Sequence, residues 1–203
     1  MYLIIDSQYF PSIISYKNLY GFSNIVFDQY EIYKKMSFRN RCIIAGAHGT
    51  IDLSIPLQQG RNQKTIMKDV RMEDSKWQSQ HWKSIQSCYN KSPWFEFYKE
   101  ELWQLYSKHF DFLLDWNLAC FQWSIQILGL PIRFSLSIKA IENPGEDFLD
   151  FRNQVLPKNY KEFNTVKYHQ VFEERVGFLP NLSILDLLFC EGKNAGRLLA
   201  QKI

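Results

Sequence analysis

Leu3-Ile4-Ile5-Asp6-Ser7-Gln8-Tyr9-Phe10-Pro11 opens the chain, and its reading together with Asn24-Ile25-Val26-Phe27-Asp28 decides the fold. Leu3-Ile4-Ile5 is apolar on both faces, as in a short strand buried on both sides. Pro11 suits the first turn of a helix, which Ile14, Asn18 and Leu19 continue until Gly21 stops it. Asn24–Phe27 reads as a second strand. A strand–helix–strand of this length predicts a right-handed βαβ unit with parallel strands. Ligands in such sheets sit beyond the carboxyl ends of the strands, where Gln8, Tyr9 and Asp28 fall. The expected class is α/β: a mixed, partly parallel sheet opened by this unit, with a helical middle segment packed on it.

Downstream comes Lys34-Lys35-Met36-Ser37-Phe38-Arg39-Asn40-Arg41-Cys42, four cations within eight residues. If the segment from Phe38 is extended, Arg39 and Arg41 share a face about 7 Å apart. Two guanidiniums so placed would hold a phosphate or carboxylate, with Lys35 nearby. The alternative is an edge-strand charge pair that keeps the sheet soluble. Cys42–Ala45 and Ile51–Leu57 read as strands joined by the turn-like Gly46-Ala47-His48-Gly49, an antiparallel hairpin. In the second strand Ile51, Leu53 and Ile55 point one way and Asp52 and Ser54 the other. Ile66–Arg71 reads as a further short strand.

The middle is helical. Ser75 is placed to cap a helix carrying Trp77, His81, Trp82, Ile85, Cys88 and Tyr89. Ser92-Pro93 is placed to restart one with Trp94, Phe97, Leu102, Leu105 and Tyr106 as its stripe, and a third runs from Phe112 to Leu128. Ile132–Ile138 alternates as a half-buried strand. A helix is expected at Phe148–Gln154 within a loop-rich stretch. Ser183-Ile184-Leu185-Asp186 reads as a capping box with Asp in place of the usual Glu, and Gly192 ends that helix. No repeat or linker divides the chain, so one domain over residues 1–203 is expected, with an α/β opening (1–72), a helical segment (73–130) and a carboxyl-terminal α/β portion (131–203).

Aromatic residues make up 16% of the chain, which places it among ordered globular proteins rather than disordered ones. A net charge of +3, without a basic tail, does not predict a nucleic-acid partner. Cys42, Cys88, Cys120 and Cys190 are scattered without a C-x-x-C pair, so buried free thiols are expected. Met1–Asp6 lacks a basic leader and meets an acid at once, which reads as a cytoplasmic protein without a signal peptide. No run of about 18 apolar residues predicts a membrane span. Neither Walker nor Rossmann glycine patterns, an H-x-x-x-H metal pair, nor a G-x-S-x-G elbow is present, leaving any cofactor unnamed and no metal expected.

In order along the chain, Gln8-Tyr9-Phe10-Pro11, Phe27-Asp28-Gln29-Tyr30, Phe38-Arg39-Asn40-Arg41, Ile55-Pro56-Leu57, Trp77 through Trp82, Tyr89 with Ser92-Pro93-Trp94-Phe95, Tyr168-His169-Gln170-Val171-Phe172 and Pro180 through Phe189 resemble the WbqC-like family. The sequence departs from that family's usual Gln-Pro-Tyr opening, having Gln8-Tyr9 without the proline. The resemblance implies a place in bacterial surface-polysaccharide (O-antigen) biosynthesis, with transfer of glycine or another acyl group onto a sugar.

Within that resemblance His81 is the candidate general base, histidine being the side chain that most readily titrates near neutrality. A packed core histidine between two tryptophans is the competing reading. Cys88 lies about 10 Å along the helix from His81, too far for a nucleophile–base pair. The expected substrate-binding set is Gln8, Tyr9, Asp28, Lys35, Arg39, Asn40, Arg41 and Tyr89, acting on a small anionic ligand such as a nucleotide sugar or acyl donor. The expected activity is a sugar- or acyl-transferase; the alternatives are a non-catalytic assembly protein of the same pathway and a nucleotidyltransferase-like enzyme.

Overall fold

In the computed structural model, which describes residues 1–201, β1 (Tyr2–Ile5) and β2 (Asn24–Phe27) pair in parallel, with Leu3 opposite Ile25 and Ile5 opposite Phe27. Between them runs the short crossover helix α1 (Ile13–Lys17). The βαβ unit is therefore as expected. Beyond β2 comes a separate antiparallel hairpin of β3 (Arg41–Gly46) and β4 (Gly49–Ser54), with Ile44 opposite Ile51 and Gly46 opposite Gly49. The tip needs glycine at both ends: Gly49 has φ +121°, and a Cβ on Gly46 would press on the Ile51 side chain.

The helices α2 (Trp77–Tyr89), α3 (Phe95–Tyr106) and α4 (Leu113–Leu128) follow. β5 (Arg133–Leu136) then adds beside β2, and β6 (Phe148–Asp150) adds beside β1, giving a four-stranded parallel sheet in the order β5-β2-β1-β6. The chain closes with α5 (Glu173–Val176), α6 (Ile184–Glu191) and α7 (Ala195–Ala200). One core joins the sheet to the hairpin and helices: Leu3, Ile25, Ile44, Leu53, Ile85, Leu102, Trp116 and Leu187 are all buried in it. The four cysteines are free and buried. No helix among the described residues is long and apolar enough to cross a membrane.

Several local expectations give way to long-range contacts. Phe148–Gln154 is not helical. The free edge of β1 takes residues 148–150 as a strand, with Tyr2 N–H bonded to the Asp147 carbonyl and Phe151 N–H to that of Ile4. Satisfying those backbone groups outweighs a weak local helix preference. Ile66–Arg71 is not a strand; it holds a 3-10 turn at Met67–Asp69, flanked by isolated bridges from Ile66 to Ile32 and from Arg71 to Phe112. Helix α2 begins after Lys76 without a side-chain cap, so Ser75 does not cap it. Ser92 finishes α2 rather than starting α3, its hydroxyl donating to the Tyr89 carbonyl at 2.8 Å. On α3 the buried face is Phe95, Tyr98, Leu102, Leu105 and Tyr106, and Phe97 is 64% exposed.

Candidate functional site

Because the four strands are parallel, their carboxyl ends share one edge. Asp6 follows β1, Asp28 follows β2, Ser137 follows β5, and Asp150, Arg152 and Asn153 close β6. Asp28 is fully engaged. One carboxylate oxygen accepts from Tyr30 N–H at 3.0 Å and the Ser137 hydroxyl at 3.1 Å, the other from Ile141 N–H at 3.1 Å and Arg152 Nη1 at 2.6 Å. Arg152 also grips Asp150, Nε to Oδ1 at 3.0 Å and Nη2 to Oδ2 at 2.7 Å. That grip is the main reason its own pKa rises.

A second guanidinium sits beside the first. Arg39, 1% exposed, forks onto Glu31 through Nε at 3.0 Å and Nη2 at 2.7 Å. The same Nη2 reaches Asp6 at 2.7 Å and Asn153 Oδ1 at 3.3 Å. Asp6 further accepts from Asn153 N–H at 3.0 Å and from Gln8 Nε2 at 3.3 Å. Asn117 of α4 fastens the arrangement from behind, donating to the carbonyls of Ser7 and Arg39. Gln8 also lines a cavity of about 30 Å³ with Asp6, Ser15, Phe121 and Phe151, room for little more than a water-sized group.

Four carboxylates, Asp6, Asp28, Glu31 and Asp150, thus surround two guanidiniums. The imbalance falls on Glu31, whose pKa is pushed up to about 7. Burial is the largest cause; Arg39 pulls it down, but Asp6 competes for the same guanidinium and pushes it up. Arg39 in turn resists its burial because Asp6 and Glu31 hold its charge, and its pKa rises. A carboxyl near neutrality, with its side chain 10% exposed, can take up and release a proton at physiological pH.

The shift has a sign in stability. The native state holds a proton on Glu31 that the unfolded chain, with the ordinary value of 4.5, has released. Its contribution is therefore fully present below about pH 4.5 and is lost as the pH rises through about 7. Denaturant titrations of wild type and Glu31→Gln between about pH 4 and pH 8 check this: the variant is expected to gain on wild type as the pH rises. A difference that stays constant would place the Glu31 carboxyl at its ordinary value.

The remaining expected residues lie elsewhere. Tyr9 turns into the core, because the left-handed backbone of Phe10, at φ +38°, lets both neighbouring rings bury together. Its hydroxyl bonds His81 Nδ1 at 3.0 Å and the Tyr106 hydroxyl at 2.5 Å. His81 is 7% exposed, stacked on Tyr9 and edge-on to Trp77. Burial pushes its pKa down to about 4, so it is a neutral, hydrogen-bonded core imidazole at neutral pH. Phe38 and Arg39 form a turn instead of a strand, which separates Arg39 from Arg41 and dissolves the expected two-arginine clamp. Arg41 faces Asp52 across the hairpin at 3.8 Å, the charge-pair alternative. Asn40 is tied to the Tyr33 hydroxyl and the Ile55 carbonyl.

Tyr89 belongs to a different buried group. Its hydroxyl accepts from Ala45 N–H at 3.0 Å and donates to Asp186 at 2.7 Å, where Tyr168 (2.5 Å) and Gln170 (3.1 Å) also converge. Asp186 therefore does not complete a capping box. Ser183 Oγ alone caps α6, by accepting from Leu185 N–H. Lys35 stays exposed, its ammonium 3.1 Å from Asn62 Oδ1.

Glu31, Asp150, Arg152 and Asn153 are the site residues that sequence reasoning missed. The last three sit where a helix was expected, and an Asp-x-Arg pair at a strand end was their available signal. Glu31 carried none, since its environment is assembled from Asp6 and Arg39. No curated protein and no solved structure matches the chain. The model of the WbqC-like protein family matches residues 6–149 and 145–198.

Proposed function

The chain belongs to the WbqC-like protein family, and on that premise we propose that it is a transferase of bacterial surface-polysaccharide biosynthesis, moving a sugar or acyl group from an activated donor to an acceptor hydroxyl or amine. The observation that carries this reading is Glu31, a carboxyl poised near pH 7 at the carboxyl edge of a parallel sheet. In this reading Glu31 is the general base. As the acceptor oxygen or nitrogen attacks the donor carbon, its proton passes to the Glu31 carboxylate, and the donor's leaving group departs with the electron pair of the broken bond. The proton then leaves through the solvent-exposed part of Glu31.

Arg39 and Asp6 fix the carboxyl's orientation through the two-pronged contact, and Gln8, Asp28 and Arg152 shape the acceptor's surroundings. The base is assigned to Glu31 rather than His81, because an imidazole with a pKa near 4, bonded to Tyr9, has little basicity to offer.

The test is complementation of a source-organism strain deleted for the gene, with the surface polysaccharide read by gel and mass spectrometry. Wild type is expected to restore it. Glu31→Gln, which keeps the shape and one of the two bonds from Arg39, is expected to lower transfer by about 10²–10⁴-fold while folding normally by circular dichroism. Full restoration by a folded Glu31→Gln would sink the catalytic reading and favour a non-catalytic assembly protein.

A further inference from the structure

We propose a second binding site next to the carboxylate cluster: a surface pocket of about 470 Å³, between the segment 32–35 and the loop 61–64, that takes a diphosphate group. Four cations line it, Lys34, Lys35, Arg61 and Lys64, together with the amides of Asn62 and Gln63, and no acidic residue does. Among the described residues none of the four is paired with a carboxylate. Like charges gathered around a concavity repel one another, and an anion of two or more charges relieves that repulsion.

The pocket is built in advance of any ligand. Its two walls are joined by an antiparallel bridge from Ile32 to Ile66 and by Tyr33 N–H donating to the Thr65 carbonyl at 2.9 Å. The loop is pinned by Gln63 Nε2 to the Gly60 carbonyl at 2.8 Å and by Thr65 Oγ1 to Gln59 at 2.9 Å. On the other wall the Ser37 hydroxyl holds the Lys34 carbonyl at 2.5 Å. The volume lies within the range of ligand sites and exceeds what one phosphate fills. A diphosphate spans opposite walls and meets two cations on each. The anion expected from the Lys34–Arg41 run is thus received by Lys34 and Lys35, whereas Arg39 is spent on Asp6 and Glu31.

Lys34 is three residues from Glu31, at most about 11 Å of chain. The proposal directs the group attached to such a diphosphate toward that carboxyl. Its identification with the donor rests on the transferase reading; the anion site itself stands on the pocket. The diphosphate is common to nucleoside-diphosphate donors and to coenzyme A thioesters.

Isothermal titration with pyrophosphate, UDP and coenzyme A at about 0.15 M salt tests it. Pyrophosphate is expected to bind wild type, and the doubles Lys34→Ala/Lys35→Ala and Arg61→Ala/Lys64→Ala are each expected to weaken it at least about tenfold. Lys99→Ala, at an exposed pair with Glu96 on α3, is expected to leave it unchanged. Whichever of UDP or coenzyme A binds more tightly than pyrophosphate identifies the source. All four cations are exposed, so the variants should keep the wild-type melting temperature. Absent binding of pyrophosphate to wild type, or equal binding to both folded doubles, would overturn the site. Glu31→Gln is expected to bind pyrophosphate as wild type does, so a failure of the transferase reading is distinguishable from a failure of this one.

Discussion

Arg39→Ala is expected to lower the unfolding free energy by about 3–5 kcal/mol, the range for breaking a buried ion pair by removing one partner. Arg39 is surrounded by acceptors: Glu31 on two nitrogens, Asp6 and Asn153 on one. Without it, Asp6 and Glu31 face each other in a buried setting, with Arg152 the remaining cation that acts on Glu31 among the described residues. Carboxylates left in that position become protonated or drag water inward, and either event destabilises the native state. Urea unfolding with the slope held equal to wild type measures the loss. The mechanism makes a further demand: Glu31→Gln in the same chain should recover part of it, because one of the stranded charges is gone. A loss below about 1 kcal/mol, or no recovery in the double variant, would mean that the pair is screened as a surface pair would be.

The second large effect concerns a residue with no part in the proposed chemistry. Asp186→Ala is expected to cost about 3–5 kcal/mol, since the hydroxyls of Tyr89 and Tyr168 lose a buried acceptor and each orphaned group costs about 1–3 kcal/mol. Gln170 is better protected, because its amide also donates to the Leu179 carbonyl at 2.9 Å. Asp186→Asn keeps one carbonyl oxygen for the two tyrosines and is expected to lose clearly less, which separates hydrogen bonding from packing. Burial raises the Asp186 pKa, so the native state holds that proton more tightly than the unfolded chain. The carboxyl's contribution is accordingly greatest in acid and declines as the pH rises through its folded value. Equal losses for the alanine and asparagine variants would assign the effect to packing alone.

These two residues mark where reading the sequence succeeds and where it stops. The βαβ opening was legible because Leu3–Ile5 and Asn24–Phe27 are punctuated by Pro11 and Gly21, all local signals. Asp28 was legible as a strand end, although its partners Ser137, Ile141 and Arg152 come from more than a hundred residues away. Asp186 has the spacing of a cap, and nothing near it in sequence says that Tyr89 will meet it. Arg39 was singled out, but its partner was misread: alternation placed Arg41 beside it, and a turn at Phe38 and Arg39 placed Glu31 and Asp6 there instead. Strand β6 is three residues long with an exposed Phe148 and Leu149, so its pattern is too short to read, and only the open side of β1 defines it.

That late partner of β1 has a consequence for how the molecule comes into being. Tyr2 leaves the ribosome well before its neighbour Phe148, which follows only after the hairpin and the three long helices have been synthesised. Until then one side of β1 is an unsatisfied template, open to pairing with another nascent chain. Arg152 and Asn153 arrive with the same segment, so a chain stopped before β6 carries Asp28 without the guanidinium that neutralises it and Asp6 without the Asn153 N–H, with Arg39 alone to balance the cluster. Closure of the sheet and completion of the charge cluster are therefore a single non-local event, slow by the standards of local folding.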